Sequence, residues 1–153
     1  MSEILIIDSF SIANFFIELA NNTGSFISNL KLQKLVYYSQ AWHLALHDKP
    51  LFEEDFEAWI HGPVIPNLYH HYKHFGWKPI EEDVKVNLPS AILDYLKEVA
   101  DEYFVCDAYE LEQMTHLEAP WQKARAGLAP YEPSTAIILK NWMQEYYKAR
   151  AED

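Results

Sequence analysis

Paired histidines are the first residues in this sequence whose spacing could support chemistry. His70 and His74 lie four residues apart on a predicted helix, and two imidazoles one helical turn apart can ligate one metal ion. His43 and His47 repeat this spacing. No HExxH motif, CxxC pair or acidic third ligand at a diagnostic distance accompanies them, so the signal is weak. A metal-dependent hydrolase using His70 and His74 stays open as an alternative function, and no other metal or cofactor is expected.

Motifs for nucleophilic catalysis and phosphate binding are missing from the sequence. G-x-S-x-G, G-x-x-x-x-G-K-[ST] and G-x-G-x-x-G do not occur, and four scattered glycines cannot easily build a phosphate cradle. Cys106 precedes a predicted helix whose dipole could lower the pKa of the thiol, but no motif surrounds it. We therefore expect no catalytic residues and no enzyme.

A carboxylate on a predicted strand is a candidate for binding. Glu57 lies between Phe56 and Ala58-Trp59 on a half-buried segment, where an acid needs a cation or several hydrogen-bond donors. Lys31, Lys34 or His61 could supply them. The resulting contact would be either a binding hot spot or a pair that fixes the fold, and the second interpretation is favoured.

A second polar and aromatic cluster follows further along the chain. Thr115-His116 end one predicted helix, and Pro120-Trp121 begin the next. A tryptophan that packs over this turn would lock the corner between the two helices, and a histidine at a helix C-terminus is favoured by the helix dipole. This structural account does not exclude a role in recognition.

Apolar periodicity predicts a mainly α fold around these residues. We expect a compact bundle of about six to seven helices with a small two- or three-stranded β element. Helices are predicted over 11–23, 29–46, 66–76, 89–103, 107–116, from 120 and from 134, with caps at Ser11, Ser28, Asp107 and Ser134 and a stop at Gly24. Residues 56–61 alternate as a strand does, Gly62-Pro63 are expected to turn the chain, and Val84, Val86 and Leu88 could pair with that strand.

The helix over 29–46 is predicted to have two faces with different roles. Leu32, Leu35, Val36, Trp42 and Leu46 share one face with Ser39 and His43, and this face should build the core. Lys31, Lys34 and Tyr38 form a second stripe on the opposite side. Cationic and aromatic side chains are good interface anchors, so this stripe is predicted either to hold Glu57 or to meet a partner.

Composition excludes several classes of protein. The chain has 153 residues with 15% aromatics, which suits one globular domain over 1–153 with a core at about 10–147. Its net charge of −11 and the lack of a basic patch argue against nucleic-acid binding. No run approaches the roughly 20 apolar residues of a membrane helix, and the N-terminal stretch has no leader pattern. The one cysteine favours the cytoplasm. A homodimer stays open.

Several spaced motifs together resemble a known family. They lie in "SNLKLQKLVYYSQAWHLALHDKPLFEEDFEAWIHGPVIPNLY" and in "MTHLEAPWQKAR" downstream. Their arrangement is similar to the Panacea domain, once classified as a domain of unknown function of phage-associated proteins. The histidine-rich stretch departs from the family pattern, because charged or aromatic residues are expected there, and His61 stands at a position where an aromatic residue is expected. The positions singled out as motif or partner-binding candidates are Lys31, Gln33, Lys34, Tyr38, Gln40, Trp42, Glu57, Trp59, Gly62, Pro63, Tyr69, Thr115, His116, Pro120 and Trp121.

The resemblance implies a SocA-like antitoxin of a toxin–antitoxin pair. Panacea-domain proteins are usually encoded beside small toxins of unrelated kinds and neutralise them, commonly by direct binding without catalysis. One branch of the family is similar to adaptors that deliver the toxin to a cytosolic protease, and this role is the second alternative. The expected partner is therefore a cognate protein toxin encoded next to this chain.

Overall fold

A computed structural model describes residues 7–152. Residues 1–6 and 153 lie outside this range. The expectation that the N-terminal stretch has no leader pattern falls mostly on these undescribed residues. The described residues form seven α-helices, one 3-10 turn and three short strands, which confirms the predicted fold class. The helices are α1 (Ser9–Thr23), α2 (Asn29–His47), α3 (Pro66–Tyr72), α4 (Ser90–Tyr103), α5 (Ala108–His116), α6 (Ala119–Ala124) and α7 (Lys140–Ala151). The 3-10 turn is Lys73–Phe75, and the strands are β1 (Phe56–Trp59), β2 (Gly62–Val64) and β3 (Ile137–Ile138).

Helix α2 is the centre of the molecule. It packs against α7, α1, α5, α4, α3 and β2, so it is covered on nearly every side. Of the predicted second stripe, Lys34 and Tyr38 are buried and only Lys31 is partly exposed, so the stripe as a whole is not available to a partner. Leu46 also departs from its predicted inward position and is 53% exposed. Because α2 touches most other elements, its polar side chains can hold several of them in place.

The sheet has the order β2-β1-β3 and is antiparallel throughout. Glu57 lies opposite Val64, and Phe56 lies opposite Ile138. Gly62-Pro63 do not turn the chain as predicted; they begin β2, and the turn lies at Ile60-His61. The hairpin is short, and its outer strand contacts both α2 and α5.

The segment Val84–Leu88 has no regular secondary structure and does not pair with β1, so this prediction is wrong. Val84 and Leu88 do pack against the core, and the residues between them alternate in burial, which explains the strand-like pattern. The segment lies along a helix rather than beside β1. Side chains of α1 bind its carbonyl groups, since Asn21 Nδ2 donates to Glu82 O over 2.9 Å.

The predicted helix caps are partly confirmed. Ser28 Oγ accepts from Lys31 N over 3.2 Å, Gly24 ends α1 in the left-handed conformation, and Asp107 and Glu110 form a reciprocal capping box. Asp8 caps α1 instead of Ser11, because its carboxylate accepts from Ser11 N and starts the helix two residues earlier.

The predicted cap at Ser134 is wrong. Helix α7 begins only at Lys140, and Ser134 Oγ accepts from Ala136 N in the turn before β3. Two extended residues, Ile137–Ile138, occupy the space where the helix was expected, because they pair with β1.

The core is continuous and rich in tyrosine. Tyr37, Tyr38 and Tyr147 are all buried, and their rings meet edge to face around α2 and α7. Buried hydroxyl groups need acceptors, so this core must contain polar partners. Among residues 7–152, no helix is both long enough and apolar enough to span a bilayer.

Candidate functional site

Two glutamines of α2 hold neighbouring loops in place. Gln33 Oε1 accepts from Ile65 N over 3.0 Å, and its amide nitrogen donates to Asn29 Oδ1 over 3.1 Å. Gln40 Oε1 accepts from Leu51 N over 2.7 Å, and its amide nitrogen donates to Phe52 O over 2.7 Å. Both glutamines are fully buried. These motif positions therefore fix the entry to β1 and the exit from β2.

Lys34 and Gly62 interlock beneath the β hairpin. The Lys34 ammonium is 1% exposed and donates to Pro63 O over 3.4 Å. Gly62 has φ of +106°, and a Cβ atom there would lie 2.5 Å from Lys34 Cε and 2.9 Å from Thr115 Oγ1. Burial lowers the pKa of Lys34 to about 7, although the Glu112 carboxylate opposes the shift. Glycine is needed at position 62 both for its backbone conformation and for space.

Lys31 lies on the rim of the same region. Its ammonium donates to Phe104 O over 2.7 Å and lies 4.6 Å from the centre of the Phe104 ring. Burial lowers the pKa of this lysine, although the thiol of Cys106 and nearby carboxylates oppose the shift. Lys31 thus joins the start of α2 to the end of α4.

The predicted contact between Glu57 and a cation is wrong. Glu57 Oε1 accepts from Trp59 Nε1 over 2.9 Å. Lys31 and Lys34 are directed to carbonyl groups, as described above. His61 lies at the hairpin turn and pairs with Glu112, at 2.6 Å between Nδ1 and Oε1. The strand places Glu57 and Trp59 on the same face, so a neighbour two residues away satisfies the carboxylate.

A buried carboxylate network at the other side of α2 was not predicted. Tyr38 Oη and Tyr147 Oη both donate to Glu118 Oε1, over 2.7 and 2.6 Å. Arg150 Nη1 donates to Glu118 Oε2 over 2.8 Å. Burial raises the pKa of Glu118, while these three donors oppose the rise. The network ties α2, the start of α6 and α7 together.

Two aromatic motif residues border this network. Tyr38 stacks on Tyr103, with ring centres 4.1 Å apart, and Trp42 Nε1 donates to Tyr103 Oη over 2.7 Å. Burial raises the pKa of Tyr103 to about 12, so its hydroxyl stays protonated at neutral pH. Trp42 also lines a surface cavity of about 380 Å³ between α2, α4 and α7.

The predicted corner between α5 and α6 is present. His116 stacks on Trp121 with ring centres 4.0 Å apart, and Trp121 Nε1 donates to Trp59 O over 2.9 Å. Pro120 lies in the first turn of α6. Thr115 Oγ1 donates to Glu112 O over 2.8 Å and lies against Gly62. The corner therefore supports the β hairpin, and burial lowers the pKa of His116.

Arg125 completes the corner and was missed by sequence reasoning. It is 4% exposed, and its Nη1 donates to Ala58 O over 2.9 Å, while Nη2 binds carbonyl groups of the turn after α6. The guanidinium also lies 4.9 Å from the centre of the Trp121 ring. Arg125 and Glu118 stand inside the quoted "MTHLEAPWQKAR" string, but charged residues are usually exposed, so nothing local marked them as buried.

The other motif candidate in this region, Tyr69, lies on α3. Its carbonyl accepts from Asn29 Nδ2 over 3.0 Å, and its ring meets Trp59 at 5.0 Å. These contacts connect α3 to the start of α2 and to β1. Motif residues from α2, the hairpin, α3, α5 and α6 therefore meet around one hairpin, and several of their side chains, such as Gln33, Lys34 and Trp121, bind backbone groups.

The histidine pair gains no third ligand from the fold. His70 ends up on α3 and His74 in the 3-10 turn, so the predicted α-helical register between them is broken. Within residues 7–152, no group of three or more histidine, cysteine, aspartate or glutamate side chains could hold a metal ion. Burial and the Glu110 carboxylate raise the pKa of the Cys106 thiol, opposite to the predicted lowering.

Three exposed aromatic residues lie near the Lys31 and Lys34 positions, and we call them the aromatic surface. Phe26, Trp77 and Tyr109 are 76%, 83% and 68% exposed. A cavity of about 210 Å³ lies between Phe26, Trp77 and Lys31, and a cavity of about 250 Å³ lies between Tyr109 and Lys34. Exposed apolar side chains that lie together, rather than singly, mark a candidate interaction surface.

Comparison with known proteins adds a family to this description. The family model described as "Antitoxin SocA-like, Panacea domain" matches residues 32–122. The chain is also similar to the curated protein named Antitoxin SocA of Caulobacter vibrioides (strain NA1000 / CB15N), with 38% identity over 74 residues. That alignment covers 48% of this chain and 39% of the relative, so the chain spans about two fifths of the relative's length. No solved structure matches.

Proposed function

The chain belongs to the SocA-like antitoxins of the Panacea-domain family, and we propose that it neutralises a cognate protein toxin by binding it directly, without catalysis. The toxin would be a small protein encoded beside this chain, and both would act in the cytoplasm. Neither nucleic acid nor a membrane takes part in this proposal.

The aromatic surface is the observation that carries the proposal. Phe26, Trp77 and Tyr109 are exposed, yet each is attached to a scaffold whose loops and helices are held by buried and partly buried hydrogen bonds. Aromatic side chains on rigid elements bury a large area on binding at a low entropic cost. Buried polar side chains such as Gln33, Gln40 and Arg125, by contrast, are used to hold backbone.

Co-expression with the neighbouring reading frames tests this function. Each neighbour is expressed alone and with this protein, growth is followed, and the pair is purified through a tag on one member. Toxicity that is relieved together with a stable complex is the expected result. Relief with a shortened lifetime of the toxin and no complex would contradict direct neutralisation and favour delivery to a protease.

A matched variant separates binding from the hydrolase alternative. The double substitution His70→Ala and His74→Ala should leave neutralisation and complex formation unchanged, because both side chains are exposed and neither lines the cavities beside the aromatic surface. Metal content of the purified wild-type protein is measured alongside. Stoichiometric metal that disappears in the double variant, together with lost neutralisation, would overturn the non-catalytic proposal.

A further inference from the structure

We propose that three adjoining surface cavities form one docking surface for the toxin, and that the toxin segment bound there carries apolar side chains flanked by lysine or arginine. This inference rests on the proposed function, because it locates the interface and names the chemistry of that same partner. The surface consists of the aromatic surface and the acidic segment Glu81–Asp83 beside it.

Shared lining residues connect the three cavities. The largest, of about 460 Å³, runs from the end of α1 to Glu81–Asp83, and Phe26 and Pro79 line it. The same two residues line the cavity of about 210 Å³ beside Trp77. Ala108 then belongs both to that cavity and to the one of about 250 Å³ above Lys34. An extended or helical segment of a partner could therefore contact all three cavities in one path.

The charges along this path are mainly negative. Glu81, Glu82 and Asp83 line one end, and Asp107 and Glu112 line the middle and the other end. None of Glu81–Asp83 forms an ion pair with another residue of the range 7–152. Of the two lysines of the path, Lys34 is buried, so Lys31 is the one whose charge lies near the surface, and its ammonium is directed at Phe104 O. One such lysine stands against the five carboxylates named above.

This pattern of charge and exposure favours one occupant. Apolar side chains fit between Phe26, Trp77 and Tyr109, and lysine or arginine at the flanks would meet the free carboxylates. A second copy of this chain would bring the same acidic segment to the interface, in a protein whose net charge is already −11, so repulsion disfavours it. A nucleic acid is disfavoured for the same reason.

Alanine substitutions in the aromatic surface test the position of the interface. The probe is the purified toxin identified by co-expression, and its affinity is measured by calorimetry or surface plasmon resonance. Trp77→Ala and Phe26→Ala should each weaken the complex about tenfold or more, as hot-spot aromatics do. Tyr131→Ala is the matched control, because Tyr131 is 79% exposed and lines none of the three cavities.

Charge reversal tests the chemistry of the partner. The triple change Glu81→Lys, Glu82→Lys and Asp83→Lys should lower the association rate about tenfold at low salt and reduce its salt dependence. The matched control reverses three exposed acids of α4, Asp94, Glu98 and Asp101, and should have a smaller effect. An association rate that is unchanged in the first triple variant, or lowered equally in both, would overturn the proposed basic partner segment.

Failure of this inference can be distinguished from failure of the proposed function. A wild-type complex whose affinity resists Trp77→Ala and Phe26→Ala, with circular dichroism unchanged, would refute this surface but leave direct binding intact. Absence of any wild-type complex would instead refute the proposed function. A homodimer in light scattering that these two variants dissociate would assign the surface to a second copy and also overturn the inference.

Discussion

Removing the buried carboxylate of Glu118 should destabilise the protein by about 2–6 kcal/mol, because an unsatisfied buried polar group costs about 1–3 kcal/mol. Glu118→Ala leaves the hydroxyl groups of Tyr38 and Tyr147 without an acceptor, and both side chains are fully buried. Arg150 adds little to the cost, since 47% of its side chain is exposed and water can replace the lost contact. The range is therefore the sum over two hydroxyl groups.

Urea unfolding at pH 7 measures this cost, with circular dichroism as the signal. The informative control is the same substitution in a background that carries Tyr38→Phe and Tyr147→Phe. In that background no hydroxyl is left unpaired, so Glu118→Ala should cost close to nothing or should even stabilise, because it removes a buried charge that has lost two donors.

The double-mutant comparison can refute the reasoning. An equal cost of Glu118→Ala in both backgrounds would mean that the lost free energy comes from the cavity or from helix α6, not from the tyrosine hydroxyls. A cost below about 1 kcal/mol in the wild-type background would mean that the hydroxyls find other acceptors or water, since each unsatisfied group should cost at least that much.

Three further predictions concern the hairpin region. Gly62→Ala should destabilise the protein by about 1–3 kcal/mol from backbone strain alone, and contact of the added Cβ with Lys34 should add to this cost. Gly24→Ala should cost only about 1 kcal/mol, because nothing lies within 4 Å of the added Cβ. Thermal melting compares the two variants. Burial lowers the pKa of Lys34 from its ordinary value of 10.5 to about 7. Between these two pH values the unfolded chain binds more protons than the folded chain, so the stability contributed by this group should rise with pH across that window. Lys34→Met should remove the rise in urea titrations at several pH values. Arg125→Lys should destabilise the protein by about 2–3 kcal/mol. An ammonium group cannot bind Ala58 O and the turn carbonyls at once while it stacks on Trp121. A change below about 1 kcal/mol in chemical denaturation would contradict this reasoning.

Local signals in the sequence predicted the helices, two of the four N-caps and the Gly24 stop. The Ser28 cap, the Gly24 stop and the Asp107 capping box each depend on residues within four positions, so the sequence around them is sufficient. The segment Val84–Leu88 marks the limit of this kind of reasoning. Its apolar alternation matches an alternation in burial, but it does not say whether a strand or a helix lies beside the segment.

Partners distant in the sequence could not be predicted in this way. Tyr38 and Glu118 are 80 positions apart, and Arg125 reaches Ala58 across 67 positions. A charged residue is exposed in most proteins, so its burial depends on donors or acceptors that only the folded chain brings together. Glu57 shows the reverse case, because distant cations were expected and the indole two residues away satisfies it.

The motif residues and the aromatic surface have different roles: the first build the scaffold, and the second is exposed to a partner. Gln33, Gln40 and Gly62 are buried and hold backbone, so the motifs that carry the family resemblance specify the scaffold. Phe26, Trp77 and Tyr109 belong to none of those motif positions and are exposed. Their replacement should therefore leave the buried hydrogen bonds of the scaffold intact. A scaffold held from inside leaves its outer residues free to vary, and under the proposed function this separation lets related chains bind unrelated toxins on one fold.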